Sequence, residues 1–252
     1  MANSDDISSQ LLPENDSIWE ETLHWQPTAQ QQERYQQLYE LVVAGNQRLN
    51  LTRITEVEAF WEKHLWDSLR GILPLLAGGE FDAKVEKIID IGTGAGFPGL
   101  PVAIALPQTE VTLLDSTRKK IDFIKTVLGD LEIANAVAIT GRVEDIARMP
   151  ERRELYDVAT VRAVAAPSVC AEYALPLLKK GGLAILYRGD FSKEEERGLE
   201  KAVKVLGGKI EAIAPLTTPL SKSDRHYLYL RKINFTPDKF PRSVGVPRQK
   251  PL

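Results

Sequence analysis

The sequence predicts an α/β fold: an open, mostly parallel sheet with a terminal antiparallel strand, behind an N-terminal helical cap. Three observations predict it. Short β-rich runs alternate with helical ones from residue 84 onward, a glycine-rich turn follows the first such run, and the last two runs have no helix between them.

Residues 1–27 read as an acidic, flexible extension. Its first 25 residues hold six acids and no Lys or Arg, Pro13 and Pro27 interrupt it, and it lacks a sustained period; Trp19 and Trp25 are its candidate anchors onto the body. Residues 28–83 read as the cap. Thr28 with Gln31 forms a capping box, and Tyr35, Leu38, Tyr39, Leu41 and Val42 keep helical spacing to about Arg48. A second helix over about 57–69 gathers Phe60, Trp61, His64, Leu65 and Ser68, and Pro74 with the Gly78-Gly79 pair ends the segment.

The core, residues 84–233, begins KIIDI (87–91), a helix over 98–106, VTLLD (111–115), a helix over 117–128, AVAIT (136–140) and a helical turn near Glu144. It continues with LYDVATV (155–161), a helix over about 170–178 and GGLAILY (181–187), an order that implies right-handed crossovers and a parallel sheet. After a helix over 192–206, runs near 209–214 and 226–233 follow one another directly, which suits antiparallel pairing. Residues 234–252 form a basic tail.

With 252 residues, 43% hydrophobic and 27% charged, the chain has the composition of a folded protein, not a disordered one. No uncharged apolar run approaches the roughly 20 residues of a membrane helix. The first residues carry no apolar signal core, and the single Cys170 excludes a disulfide framework, so the expected location is the cytoplasm, with no membrane partner. The net charge of −3 conceals an asymmetry: −6 over residues 1–25 and +6 over residues 218–252. The basic end suits phosphate, although such charges also serve simply to solvate a chain terminus.

The strongest local signal is Asp90-Ile91-Gly92-Thr93-Gly94-Ala95-Gly96-Phe97-Pro98-Gly99, set between a strand and a helix whose first turn accepts Pro98. Glycines there let the backbone turn sharply and approach a ligand. Asp115 follows Gly94 by 21 residues, at the end of the second strand, which is the nucleoside-binding arrangement of doubly wound folds. Charge narrows the ligand. A dinucleotide seats its pyrophosphate on the helix N-terminus, and Asp90 at the loop entrance would repel it. Phe97 also replaces the third glycine of the dinucleotide fingerprint. S-adenosylmethionine carries an ammonium and a sulfonium and no phosphate, so D-x-G-x-G-x-G reads as the first motif of a Rossmann-like methyltransferase, with Asp115 accepting from the ribose hydroxyls. No phosphate-binding GxxxxGK[ST] loop is present.

The chemistry that remains needs no base. After the fourth strand the chain reads Thr160-Val161-Arg162-Ala163, unlike the Asn- or Asp-Pro-Pro-aromatic signature of amino-group methyltransferases. Cys170 lacks a preceding proline and is read as a small buried hydrophobe. His24, His64 and His226 are too scattered for a base or metal cluster, with His64 packing beside Asp67. No metal is expected. Guanine N7 offers a ready lone pair, and Arg162, at the carboxyl end of a central strand, is the candidate catalytic residue, donating to O6 or a phosphate but never to N7.

These residues resemble the RsmG/GidB family of bacterial small-subunit ribosomal RNA guanine-N7 methyltransferases over about residues 34–252. The matching segments are Leu49-Asn50-Leu51-Thr52, His64-Leu65-Trp66-Asp67-Ser68, the glycine loop, Leu113-Leu114-Asp115-Ser116, Gly141-Arg142-Val143-Glu144, Arg162-Ala163, Arg225-His226 and the ending from Phe240 to Leu252. The resemblance implies a class I S-adenosylmethionine-dependent methyltransferase fold, S-adenosyl-L-methionine as cofactor, 16S ribosomal RNA or the small subunit as partner, and a monomer. It implies cofactor contacts at Gly92 and Phe97 around the methionine part, at Val143 and Glu144 beside the adenine, at Asp115 and Ser116 along the ribose, and at Arg162 near the reacting end. Asp90 and Gly94 complete the expected cofactor set through the loop. Arg188 stands where many relatives carry Lys. A nicotinamide oxidoreductase and a non-catalytic assembly factor are the alternatives; Asp90 and the missing glycine oppose the first, and activity decides the second.

Overall fold

The computed structural model describes residues 10–76 and 84–252, so the Gly78-Gly79 terminator and the first nine residues lie outside the described residues. The N-terminal segment is not a loose extension from residue 10 on. Asp16–Leu23 is a helix, α1, and it buries Trp19 at 2% exposure against Trp61, with ring centroids 4.7 Å apart and Trp25 edge-on at 6.1 Å. Two large aromatic surfaces outweigh the weak periodicity of the sequence around them. Helix α2, Ala29–Leu49, starts on the expected Thr28–Gln31 capping box and buries Tyr35, Leu38, Tyr39 and Val42.

The second cap helix runs Val57–Phe60 (α3), a π-helical turn Trp61–Trp66, and Asp67–Gly71 (α4). The wider turn keeps Phe60, Trp61, Glu62, His64, Leu65, Asp67 and Ser68 all buried, a wider buried arc than one regular helical stripe presents. Glu62 accounts for part of this: its carboxylate accepts from the Leu220 and Ser221 amides at 2.6 and 3.0 Å, tying the cap to the far hairpin.

The core alternates β1 Lys87–Ile91, α5 Gly99–Ala105, β2 Glu110–Asp115, α6 Arg118–Asp130, β3 Ala136–Thr140, α7 Val143–Ile146 and β4 Tyr156–Arg162. Then come α8 Pro167–Ala174, β5 Leu178–Arg188, α9 Lys193–Val205, β6 Gly208–Thr217, β7 Asp224–Lys232 and, in the tail, α10 Val246–Gln249. Among the described residues the sheet has seven strands in the order β3-β2-β1-β4-β5-β7-β6; β7 runs antiparallel to both neighbours and the other pairs are parallel. Strand alternation divides the interior into two cores. Ile88, Val158 and Ile185 face the cap, α5 and α6, whereas Ile89, Ala159 and Leu186 face α8 and α9. The strand order reverses between β1 and β4, and ligands of open sheets bind at that point, beyond the strands' carboxyl ends.

The tail differs most from expectation. It is docked, with Phe240 3% exposed in the α8–α9 core and Arg242 ion-paired to fully buried Glu172 at 2.6 Å. Arg148 and Arg153 donate to the carbonyls of Thr236, Phe240 and Pro241. Two of its four bases are therefore spent on the protein: Arg242 on Glu172 and Arg248 on the Val164 carbonyl. Among the described residues no helix is long and apolar enough to cross a membrane.

Candidate functional site

Two clefts open at the carboxyl ends of β1, β2 and β4. The first, about 250 Å³, is walled by Gly92, Asp115, Ser116, Val143, Glu144 and the Ala163-Val164 corner, with Tyr173 and Arg248. The second, about 530 Å³, is walled by the cap residues Lys63, His64 and Asp67 and by Arg162, Arg188 and Arg225. Ala163 lines both. Its φ of +54° is a left-handed conformation that costs a non-glycine residue roughly 1 kcal/mol or more, and the sharp exit from β4 leaves Arg162 in the second cleft and Val164 in the first.

The glycine loop shapes the first cleft. Gly92 and Thr93 amides donate to the Leu114 carbonyl, and the Gly94 amide donates to Asp115 Oδ2 at 3.0 Å. A side chain at Gly92 would meet Val164 Cγ2 at 2.5 Å, whereas at Gly94 (φ +62°) it would meet nothing closer than the Gly92 carbonyl at 3.9 Å. Gly94 thus has no close neighbour where a side chain would stand, but it lies off the lining of the first cleft, where Gly92 is the loop's contribution. Asp115 Oδ1 accepts from the Thr117 amide at 2.8 Å, so this carboxylate both fixes the loop and lines the cleft.

At the other end, Glu144 Oε1 accepts from Arg142 Nη2 (3.1 Å), Tyr173 Oη (3.3 Å) and the Gly245 amide (3.0 Å), while Oε2 is buried with no partner among the described residues. Burial raises its pKa, but the Gly245 amide and Arg142 outweigh that and hold it below the usual carboxylate range. An ionised, half-satisfied carboxylate in a nucleoside-sized cleft is an acceptor waiting for a donor such as an adenine amine. The residues lining the cleft therefore fit S-adenosylmethionine: Asp115 for the ribose, Glu144 for the base, and a bare backbone at Gly92. Among the described residues no group of His, Cys, Asp and Glu is arranged to hold a metal ion.

Asp90 departs from its expected role as an acid at the loop entrance. It is fully buried beneath the loop, where Oδ2 accepts from the Gly99 amide at 2.9 Å and Oδ1 from Thr160 Oγ1 at 2.8 Å. Burial pushes its pKa up. It braces the start of α5 and does not wall the cleft, because it lies fully buried beneath the loop and off the cleft's lining. Phe97 likewise lies off the first cleft: 5% exposed, it stacks on the His64 ring at 4.2 Å and 10°. Arg162 belongs to the second cleft and not the first.

In that second cleft the Arg162 guanidinium is held on three sides. Nη1 donates to the Lys63 carbonyl (2.8 Å) and Asp67 Oδ2 (3.3 Å), Nη2 faces His64 Nδ1 (3.3 Å), and the group lies 5.7 Å over the Phe97 ring. Since Arg162 only donates, His64 Nδ1 is the acceptor and its Nε2–H donates to Thr52 Oγ1 at 2.9 Å. Burial, then the charges of Arg162 and Lys63, hold the His64 pKa well below the imidazole range, so the ring is neutral. Its expected partner was Asp67, but Asp67 serves Arg162, Arg225 Nε (3.4 Å) and Tyr227 Oη (2.7 Å). His226 Nδ1 is tied to the Gly189 carbonyl at 2.6 Å, and His24 is exposed at the end of α1. Cys170 is 4% exposed with its thiol pushed up to about 11 by burial, which matches the small-hydrophobe reading. Arg188 spans Glu195 Oε1 (2.8 Å) and the Ala165 carbonyl (3.1 Å), a two-pronged contact that a lysine cannot copy.

The His64–Phe97–Arg162 stack and the roles of Asp67 and Arg248 escape a reading of the sequence alone. The i, i+3 pair His64–Asp67 on a buried helix face was the available signal for the first two. For Arg248 there was none.

A family model described as rRNA small subunit methyltransferase G matches residues 31–227. The chain is 61% identical over 242 residues to a protein named ribosomal RNA small subunit methyltransferase G from Nostoc punctiforme, covering 96% of this chain and 99% of that one. It is also 61% identical over 247 residues to the protein of that name from Trichodesmium erythraeum, covering 98% and 97%, so this match reaches into the acidic N-terminal segment. Among solved structures, a variant of the 16S rRNA (adenine(1408)-N(1))-methyltransferase from Catenulisporales acidiphilia superposes with a TM-score of 0.50 at 15% identity, covering 59% of this chain and 85% of that one, which is a likeness of fold.

Proposed function

This chain belongs to the rRNA small subunit methyltransferase G family, and from that membership we propose that it transfers the methyl group of S-adenosylmethionine to N7 of a guanine in 16S ribosomal RNA. It acts as a cytoplasmic monomer on the RNA or the small subunit. The observation that carries this reading is the meeting of two clefts at Ala163, one nucleoside-sized and walled by the carboxylates of Asp115 and Glu144, the other rich in arginine.

When bound, S-adenosylmethionine supplies an electrophilic methyl on a positively charged sulfur. The residues of the chain place the acceptor. Asp115 and Ser116 would hold the ribose and Glu144 the adenine amine of a cofactor in the first cleft, which Gly92 and Ala163 also line. Lys63, Arg162, Arg188 and Arg225 outnumber Asp67 and Asp190 in the second cleft and favour a phosphate-bearing substrate. Three of the five Arg162 N–H groups are engaged by Lys63, Asp67 and His64, and no described residue accepts from the other two. Those two serve guanine O6 or a phosphate and leave N7 uncovered. The N7 lone pair would make the new N–C bond with the C–S pair left on sulfur, so no residue of the chain would have to take a proton from N7. That matches a cleft whose one histidine is neutral and has its lone pair committed to Arg162. Catalysis is then orientation, which alone reaches effective molarities on the order of 10⁵ M.

The test is labelled methyl transfer into small ribosomal subunits from a strain lacking this gene, with the modified base mapped by cleavage chemistry specific for N7-methylguanine. Label on an exocyclic amine or a ring carbon would refute the N7 assignment.

A further inference from the structure

The C-terminal segment crosses the mouth of the first cleft. Its anchor is Glu172, 0% exposed, whose carboxylate accepts from the Arg242 amide (2.8 Å), Nε (3.0 Å) and Nη2 (2.6 Å). Beyond the anchor the chain touches both walls. The Gly245 amide donates to Glu144 Oε1 at 3.0 Å on the α7 side, and Arg248 Nη2 donates to the Val164 carbonyl at 2.7 Å on the β4 side, where Arg248 also lines the cleft. Gly245 makes its contact with φ +82°, a conformation that suits glycine.

We propose that residues 242–249 are a working part of the cofactor site: a strap, pinned on Glu172, that closes the adenosyl end of the cleft and whose docking is coupled to cofactor binding. The inference rests on the first cleft being the cofactor site. Its physical basis is the orphaned Glu144 Oε2. With the strap docked, Gly245 helps to saturate Oε1 and leaves Oε2 dehydrated and without a partner among the described residues; with the strap away, Glu144 gains water and that unmet acceptor is lost. Coupling is reciprocal, so a cofactor that prefers the docked strap must hold it in place by the same factor.

Two measurements on the full-length chain test this. In the first, S-adenosylhomocysteine is titrated calorimetrically into wild type and Arg248→Ala, a change at an exposed side chain that leaves the Glu172 anchor intact. The expected result is a Kd about tenfold higher in the variant, as for loss of a charged hydrogen-bond donor from a binding site. The second needs no variant: trypsin cleavage after Arg242 and Arg248 of the wild type is followed by mass spectrometry with and without saturating S-adenosylhomocysteine. The ligand should slow both cuts on the order of fivefold or more. Equal affinity in the folded variant, or cleavage rates indifferent to bound ligand, overturns the strap while leaving the cofactor site standing. A wild-type chain that binds no S-adenosylhomocysteine removes the cofactor reading, and the strap with it.

Discussion

Asp90 offers a sharp perturbation, because its charge and its hydrogen bonds make opposite demands. Its two oxygens satisfy the Gly99 amide and the Thr160 hydroxyl in a fully buried setting. Asp90→Ala orphans both donors at about 1–3 kcal/mol each, so the expected loss is about 2–6 kcal/mol. For a domain of this size each kcal/mol lowers Tm by about 2–4 °C, which makes the drop on the order of 10 °C. Asp90→Asn keeps an acceptor for the Gly99 amide and turns its own N–H₂ toward Thr160 Oγ1, so it should stay much nearer wild type. The pH dependence carries a sign. Burial raises the Asp90 pKa in the native state, so its contribution is fully present below the ordinary carboxylate value of about 4 and is lost as pH rises through the native value. Asparagine does not titrate, and the stability of Asp90→Asn relative to wild type should improve between acid and neutral pH. Calorimetric Tm at pH 5 and pH 8, with S-adenosylhomocysteine affinity at pH 8, checks all of this. If the folded Asp90→Asn variant lost cofactor affinity, the carboxylate would be serving the cofactor's positive charge, and the brace argument would be wrong.

Other substitutions divide the two clefts. Asp115→Ala removes the acceptor for the Gly94 and Thr117 amides as well as for the ribose, and should weaken S-adenosylhomocysteine binding by roughly 1.5–3 kcal/mol in calorimetry. Arg162→Ala should leave that affinity nearly unchanged but cut single-turnover methyl transfer on the order of 10²-fold, the cost of a displaced acceptor. Arg162→Lys should recover little, because an ammonium cannot satisfy Lys63, Asp67 and His64 and still reach the guanine. His64→Gln can still accept from Arg162 and should stay within about tenfold of wild-type turnover, less than the ~10² or more that a general base typically contributes.

Much of the fold was legible because its signals are local. The β-runs follow the period of strands, glycine and proline punctuate them, and Thr28 and Ser192 open their helices with the capping boxes that the structure contains. Boundaries moved where tertiary contacts decide. β5 begins at Leu178 and not Gly181, directly after the 3-10 turn Leu175–Leu177, with Lys179 paired to Asp157 across the strand edge and Lys180 exposed. The π-helical turn at Trp61–Trp66 was hidden, because the hairpin amides that engage Glu62 lie about 158 residues away in sequence. The glycine loop and Asp115 were legible through their spacing. That Asp90 is buried was not, since a motif records residue types and not which donors claim them. The docked tail was least legible of all: its basic composition suggests solvent or phosphate, and only Glu172 and the Val164 carbonyl, contributed from other elements, show where Arg242 and Arg248 go.

The proposed acceptor is an unaided ring nitrogen, oriented by Arg162 beside a neutral His64. The most direct measurement is the single-turnover rate of methyl transfer to saturating small-subunit substrate between about pH 6 and 9, the range in which an accessible histidine base would titrate. The profile should be flat, because N7 has no proton to lose and His64 stays neutral throughout. A rate that rose tenfold per pH unit and then levelled, with that step abolished in His64→Gln, would contradict it and identify His64 as a base serving a different acceptor atom.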